Sequence, residues 1–153
     1  MTTIINKADI KDYIGFTTEP SRWHMVTQEQ INQFADCTLD HQFIHVDTEK
    51  AKQTPFGTTI AHGFLSLSML SHFAEDFSVI IDGFYMGLNA GFDKIRFLHP
   101  VAVNSQIRAH AKVLEIDEKS PGQYRVKTEV TVEIEGIDKP ALIAEWISMQ
   151  MVK

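Results

Sequence analysis

Residues 60–77 carry the feature that most limits how this chain can fold. Phe64, Leu65, Leu67, Met69, Leu70 and Phe73 recur at helical spacing, and only small or hydroxyl side chains remain for a polar side. A helix that is apolar on nearly every side belongs inside a domain. At ~1.5 Å per residue it would span more than about 20 Å, the breadth of a small domain. The rest of the chain must therefore supply a surface able to surround it. That surface reads as strand. Stretches 84–89, 91–98, 103–117, 124–135 and 141–152 alternate apolar with polar residues, most regularly from Val126 to Glu135. Pro121-Gly122 and Glu135-Gly136 mark turns between consecutive strands, so neighbours should be antiparallel.

A curved antiparallel sheet wrapped around one central buried helix is the hot-dog architecture, an α+β fold. Such a sheet leaves an edge and an open side, so the expected assembly is a homodimer formed through the sheet, or a higher homo-oligomer. The 153 residues show no repeat or linker and are expected to form one domain, 1–153. Twenty acidic against 14 basic side chains give a net charge of −6, which argues against nucleic acid or an anionic membrane as partner. A phosphorylated small molecule stays open, because two or three local cations suffice for it. No run approaches ~18 apolar residues, so no membrane span is expected. The start, Met-Thr-Thr-Ile-Ile-Asn-Lys-Ala-Asp, lacks the pattern of a signal peptide. A lone cysteine, Cys37, cannot form an intrachain disulfide and reads as a small buried hydrophobe in a reducing, cytoplasmic setting.

Ahead of the apolar helix, Gly15 and Pro20 break any long periodicity, and residues 23–26 look like a short strand. Thr27 and Gln30 have capping-box spacing before Ile31, Phe34 and Ala35, which predicts a helix to about residue 38. Residues 40–45 are then a loop, and Asp47 should cap a short helix over 48–52.

Asp40 and His45 stand five residues apart where that helical pattern stops. A carboxylate and an imidazole can hold one water between them and move its proton. Taken alone, Asp40 could as well cap a turn while His45 packs beneath it. His62 reads as fixing the turn before Gly63. His41, His72, His99 and His110 are scattered without a second acidic partner, so no metal site is expected.

The segment Asp40-His-Gln-Phe-Ile-His45-Val-Asp47, with Pro55-Phe-Gly-Thr-Thr-Ile-Ala-His-Gly63 after it, resembles the MaoC-like hydratases, most of all their nodulation-protein-N-like branch. Leu88-Asn-Ala-Gly-Phe-Asp-Lys-Ile-Arg-Phe-Leu-His-Pro-Val101 matches the strands that follow the core helix there. The resemblance spans about residues 27–113. It implies a hot-dog fold, usually dimeric, and R-specific hydration of trans-2-enoyl thioesters of coenzyme A or an acyl carrier protein, with no cofactor. Better characterised members carry Gly before the aspartate and Asn-Pro after it, where this chain has Leu39, Gln42 and Phe43. The resemblance implies Asp40 as base and His45 as the residue that orients water and relays the proton, although sequence does not divide these tasks. It further implies the Gly63 amide as oxyanion donor and a Ser71 hydrogen bond to Asp40, with Gln42 supplying amide contacts. Asn89 is a candidate to line the pocket. Lys94, Arg96 and Arg108 are candidates for the coenzyme A phosphates, against the plainer reading of any one of them as a solvated strand charge or core-edge ion pair. Competing functions are a thioesterase and a non-catalytic acyl-binding protein. The thioesterase is disfavoured because residues 60–71 hold no Asp or Glu.

Overall fold

The long alternating strands dictate the frame, and the apolar helical segment fills it. The computed structural model describes residues 2–153, so Met1 of the expected 1–153 domain lies outside the described residues. In chain order the elements begin with β1 (Thr3–Ile5), a 3-10 helix (Lys7–Tyr13), β2 (His24–Met25) and α1 (Gln28–Thr38). They continue with α2 (Phe43–Val46), α3 (Thr48–Ala51), α4 (Gly63–Ser68), α5 (Leu70–Phe77) and β3 (Val79–Ile81). Four long strands complete the chain: β4 (Phe84–Phe97), β5 (Gln106–Ser120), β6 (Gln123–Ile134) and β7 (Ile137–Val152).

The main sheet has the order β2-β5-β6-β7-β4, and every pair is antiparallel. Its inward side chains, among them Ile107, Ala109, Val130, Val132, Leu142 and Ala144, pack on Leu65, Leu70, Phe73 and Phe77. This curled sheet around α4–α5 is the expected hot dog. The β5 edge is covered by the incoming chain. The Thr18 and Ser21 amides donate to the Ala111 and Ala109 carbonyls, and their hydroxyls accept the Ala111 and Ala109 amides at 3.0 Å. At the other edge, β4 has no second partner strand among the described residues and leaves Phe84, Tyr85, Met86, Leu88, Phe92 and Phe97 exposed.

Several expectations need correction. The apolar segment begins as helix at Gly63 rather than at residue 60, because residues 59–61 run antiparallel to residues 101–103. Ala61 N–H donates to Val101 O, and Val103 N–H donates to Thr59 O. It is also two helices, not one. The Ser68 hydroxyl donates to the Phe64 carbonyl at 2.7 Å, a back-bond that bends helices, and α4 gives way to α5 at Met69, which keeps α-region dihedrals (φ −66°, ψ −13°). Nor is it buried all round, since Phe64 is 67% exposed on the side that also carries Ser68, Ser71 and Glu75.

Residues 84–89 and 91–98 form one strand. Continuous β7 pairs with both halves across a register shift at Asn89/Gly91. The loop expected over 40–45 closes into the turn α2, where Gln42 O accepts the His45 amide and Phe43 O accepts that of Asp47. Cys37 is exposed, on the outer side of α1. The parallel pair β1–β3 had no counterpart in the sequence reading. A buried Gln150 side chain ties it to β7, donating to Val79 O (2.8 Å) and accepting from Ile81 N (3.1 Å). The Thr27 cap on α1 and the Asp47 cap on α3 stand as expected. Among the described residues no helix is long and apolar enough to cross a membrane.

Candidate active site

α1 ends at Leu39, whose φ of 62° turns the chain sharply and presents Asp40 at the surface. One Asp40 carboxylate oxygen accepts the Gln42 amide at 3.3 Å, and the carboxylate stays 53% exposed. The α2 turn then carries the next imidazole inward, and His45 is only 7% exposed. His45 Nδ1 lies 2.7 Å from the carbonyl of Ile60. A carbonyl only accepts, so Nδ1 carries the proton and Nε2 is left with the lone pair. Burial pushes the His45 pKa below its ordinary 6.5, and the neighbouring His62 adds to this, while the Ile60 carbonyl and the Asp40 charge oppose it. The imidazole is therefore neutral near pH 7 and has one free acceptor.

His62 completes the cluster. It is 3% exposed, its ring stacks on His45 at 3.8 Å, and its Nε2–H donates to the Asp40 carbonyl at 3.0 Å. It thus holds both members of the expected pair, a part larger than the turn-fixing one read from sequence. Its buried Nδ1 has no partner among the described residues. Asp40, His45 and His62 each bring a donor atom within 4.8 Å of the others. That composition would suit a metal, but His45 Nδ1 and His62 Nε2 are already bonded to the Ile60 and Asp40 carbonyls. A spacing within 4.8 Å also admits one bridging water, since two hydrogen bonds of ~2.8 Å span up to roughly 5.6 Å. Gln28 braces the cluster from α1. Its amide N–H donates to His45 O at 2.8 Å, and its carbonyl accepts the Thr59 hydroxyl. Nothing in the helical pattern singles out Gln28, and the pairing of His62 with Asp40 spans 22 residues.

Comparisons with known proteins place this chain in a family. The family model described as the MaoC-like domain matches residues 9–135. The chain is 41% identical to 3-hydroxyacyl-thioester dehydratase Z of Mycobacterium tuberculosis over 147 residues, covering 96% of this chain and 97% of that protein. The chain belongs to the MaoC-like dehydratase family. Within that family it is also 45% identical to nodulation protein N of Rhizobium leguminosarum bv. viciae over 148 residues, with 95% and 91% of the two chains covered. Among solved structures, the (R)-hydratase from A. caviae involved in PHA biosynthesis superposes with a TM-score of 0.72. At 20% identity, over 88% of this chain and 94% of that one, it shares the fold of this MaoC-like chain. Enzymes of the family are hydro-lyases.

The structure places the remaining candidates unevenly. Gly63 is the first residue of α4, where the opening amides have no acceptor inside the helix. A Cβ there would meet the Phe97 ring at 3.1 Å. Gln42 caps α2 through its backbone, and its side chain makes no hydrogen bond among the described residues. Ser71 makes no hydrogen bond to Asp40 within the described residues. It lies with Asn89 on the wall of a cavity of about 370 Å³ at the α5 end. Lys94 and Arg96 are exposed on β4, and neither has a salt bridge among the described residues. Arg108 is spent, paired with Glu133 at 2.7 Å and lying 4.3 Å over the Trp23 ring. Its outward position on β5 gives it that partner.

Gly63→Ala tests the close approach. Phe97 is half exposed and can yield, so stability should change by less than about 1 kcal/mol. The added methyl should nevertheless lower kcat/KM for an enoyl thioester by about tenfold to hundredfold, because it crowds the amide. Thermal unfolding beside steady-state kinetics reads both.

Proposed function

We propose that this protein is an R-specific hydratase that adds water to trans-2-enoyl thioesters and, in reverse, dehydrates 3-hydroxyacyl thioesters. One observation carries the reading. One ring nitrogen of a buried, neutral imidazole, whose Nδ1–H is fixed on a carbonyl, lies within 4.8 Å of a carboxylate oxygen, close enough for one water to bridge the two residues.

The tautomer supports the reverse of the roles expected from sequence. His45 Nε2 has a lone pair and no proton, so it is the better acceptor. Asp40 holds the second hydrogen of the water, and its charge favours the imidazolium that forms. As the water oxygen bonds to C3, its proton passes to Nε2. The C2–C3 double bond becomes an enolate with its charge on the thioester oxygen, and the Gly63 amide stabilises that oxygen. The imidazolium then returns the proton to C2, and His45 is neutral again. His62 acts on the substrate through others, holding the Asp40 backbone and one face of His45.

The exposed apolar edge of β4, beside the exposed Phe64, supports assembly with a second copy of this chain. The whole 1–153 chain acts as one domain in this reading, in a reducing cytoplasmic setting. Its thioester carrier is coenzyme A or an acyl carrier protein, and Lys94 and Arg96 remain the candidates for phosphates.

Loss of the enoyl absorbance with crotonyl-CoA and longer trans-2-enoyl-CoAs tests the activity. Release of free thiol in its place would point to a thioesterase. The pH dependence follows from His45. A depressed imidazole pKa keeps Nε2 unprotonated until the pH falls below the ordinary 6.5. The acid limb of kcat/KM should therefore lie below about 6.5, with a plateau above it. The stability that this neutral imidazole contributes is present above the unfolded-state pKa and is lost as pH falls through the lower folded-state value.

A further inference from the structure

We infer that the cavity at the α5 end receives an uncharged acyl segment bearing an oxygen function, such as a hydroxyl or ketone, rather than a plain alkyl chain. This rests on the hydration reading and specifies its substrate. The cavity has the volume of a small-molecule pocket, and among the described residues no charged side chain lines it, so a carboxylate or phosphate has no partner among them. Its polar wall includes two kinds of residue. Thr18 and Gln150 are used by the fold, since Thr18 accepts the Ala111 amide and Gln150 holds β3. Asn89, Thr128, Ser148 and Ser71 make no side-chain hydrogen bonds among the described residues.

Three of these form a row across adjacent strands. Asn89 of β4 and Ser148 of β7 are direct partners, and Thr128 of β6 stands opposite Trp146, one step along the same side. Side chains two residues apart share one side of a sheet, so the row faces the helix. Ser71 meets it from α5. An alkyl chain filling this space would strip water from three hydroxyls and a carboxamide and return nothing. A ligand oxygen would restore their hydrogen bonds.

The place of the row sets the reach. Ser71 lies eight residues beyond Gly63, about 12 Å along the helix axis, which an extended chain covers in about ten bonds. Crotonyl-CoA is too short. The pantetheine arm carries similar amides and a hydroxyl, so the test must separate the two sources.

The experiment compares kcat/KM for crotonyl-CoA, trans-2-decenoyl-CoA and 9-oxo-trans-2-decenoyl-CoA, in the parent and in the double variant Thr128→Val/Ser148→Ala. The parent should favour the oxo substrate over the plain ten-carbon chain by about tenfold or more, and the variant should bring that ratio close to one. A parent ratio near one, or a ratio the variant leaves unchanged, overturns the inference. So does an equal fall for all three substrates, because the row would then serve the pantetheine arm. If no enoyl thioester is hydrated, calorimetric binding of decanoyl-CoA and 9-oxodecanoyl-CoA gives the answer. Tighter oxo binding that the variant abolishes upholds the inference while the hydratase reading fails. Equal binding removes both.

Discussion

His45→Gln is expected to lower kcat for enoyl hydration by about 10²–10⁴-fold, the usual contribution of a positioned acid or base. The substitution is chosen to spare the fold. Glutamine keeps an N–H donor for the Ile60 carbonyl, the one hydrogen bond that His45 makes through its ring. Stability should therefore fall by no more than about 1–2 kcal/mol, measurable by denaturant titration. Asp40→Asn should cost less than His45→Gln, because asparagine can still accept the Gln42 amide and hold the water. A larger loss in the Asp40 variant would return the base role to the carboxylate.

Phe73→Ala should destabilise the chain by about 3–5 kcal/mol, since Phe73 is 1% exposed at the centre of the main core. For a chain of this size that corresponds to a fall in Tm of roughly 6–20 °C. Phe64→Ala, on the open side of the same helical segment, should leave the unfolding of a single chain within about 0.5 kcal/mol. If a second copy covers Phe64, its cost appears instead as a weaker dimer in sedimentation. The pair of variants separates core packing from assembly.

These contrasts show what the sequence could and could not reveal. Strand alternation and the Pro121-Gly122 turn gave β5, β6 and their pairing, because side-chain period and turn chemistry are local. The caps at Thr27 and Asp47 were legible for the same reason. The break at Met69 was not, because it depends on a hydroxyl competing for one carbonyl. The exposed side of α4–α5 is not legible in the sequence, because composition records apolar character and not the neighbour that covers it. In the site, Asp40, His45 and Gly63 were named from their motifs. The contacts of His62 with Asp40, and of Gln28 with both His45 and Thr59, arise only when distant segments fold together. Arg108 became an ion-pair partner for an equally non-local reason, since Glu133 faces it across the β5–β6 ladder.

The most direct test is to incubate the protein with crotonyl-CoA in D2O and to read the product by NMR and chiral analysis. A His45 relay through one water predicts (3R)-3-hydroxybutyryl-CoA with a single deuterium at C2, on the same side as the added hydroxyl. Recovery of unchanged crotonyl-CoA, release of free coenzyme A, or a 3S product would contradict the account.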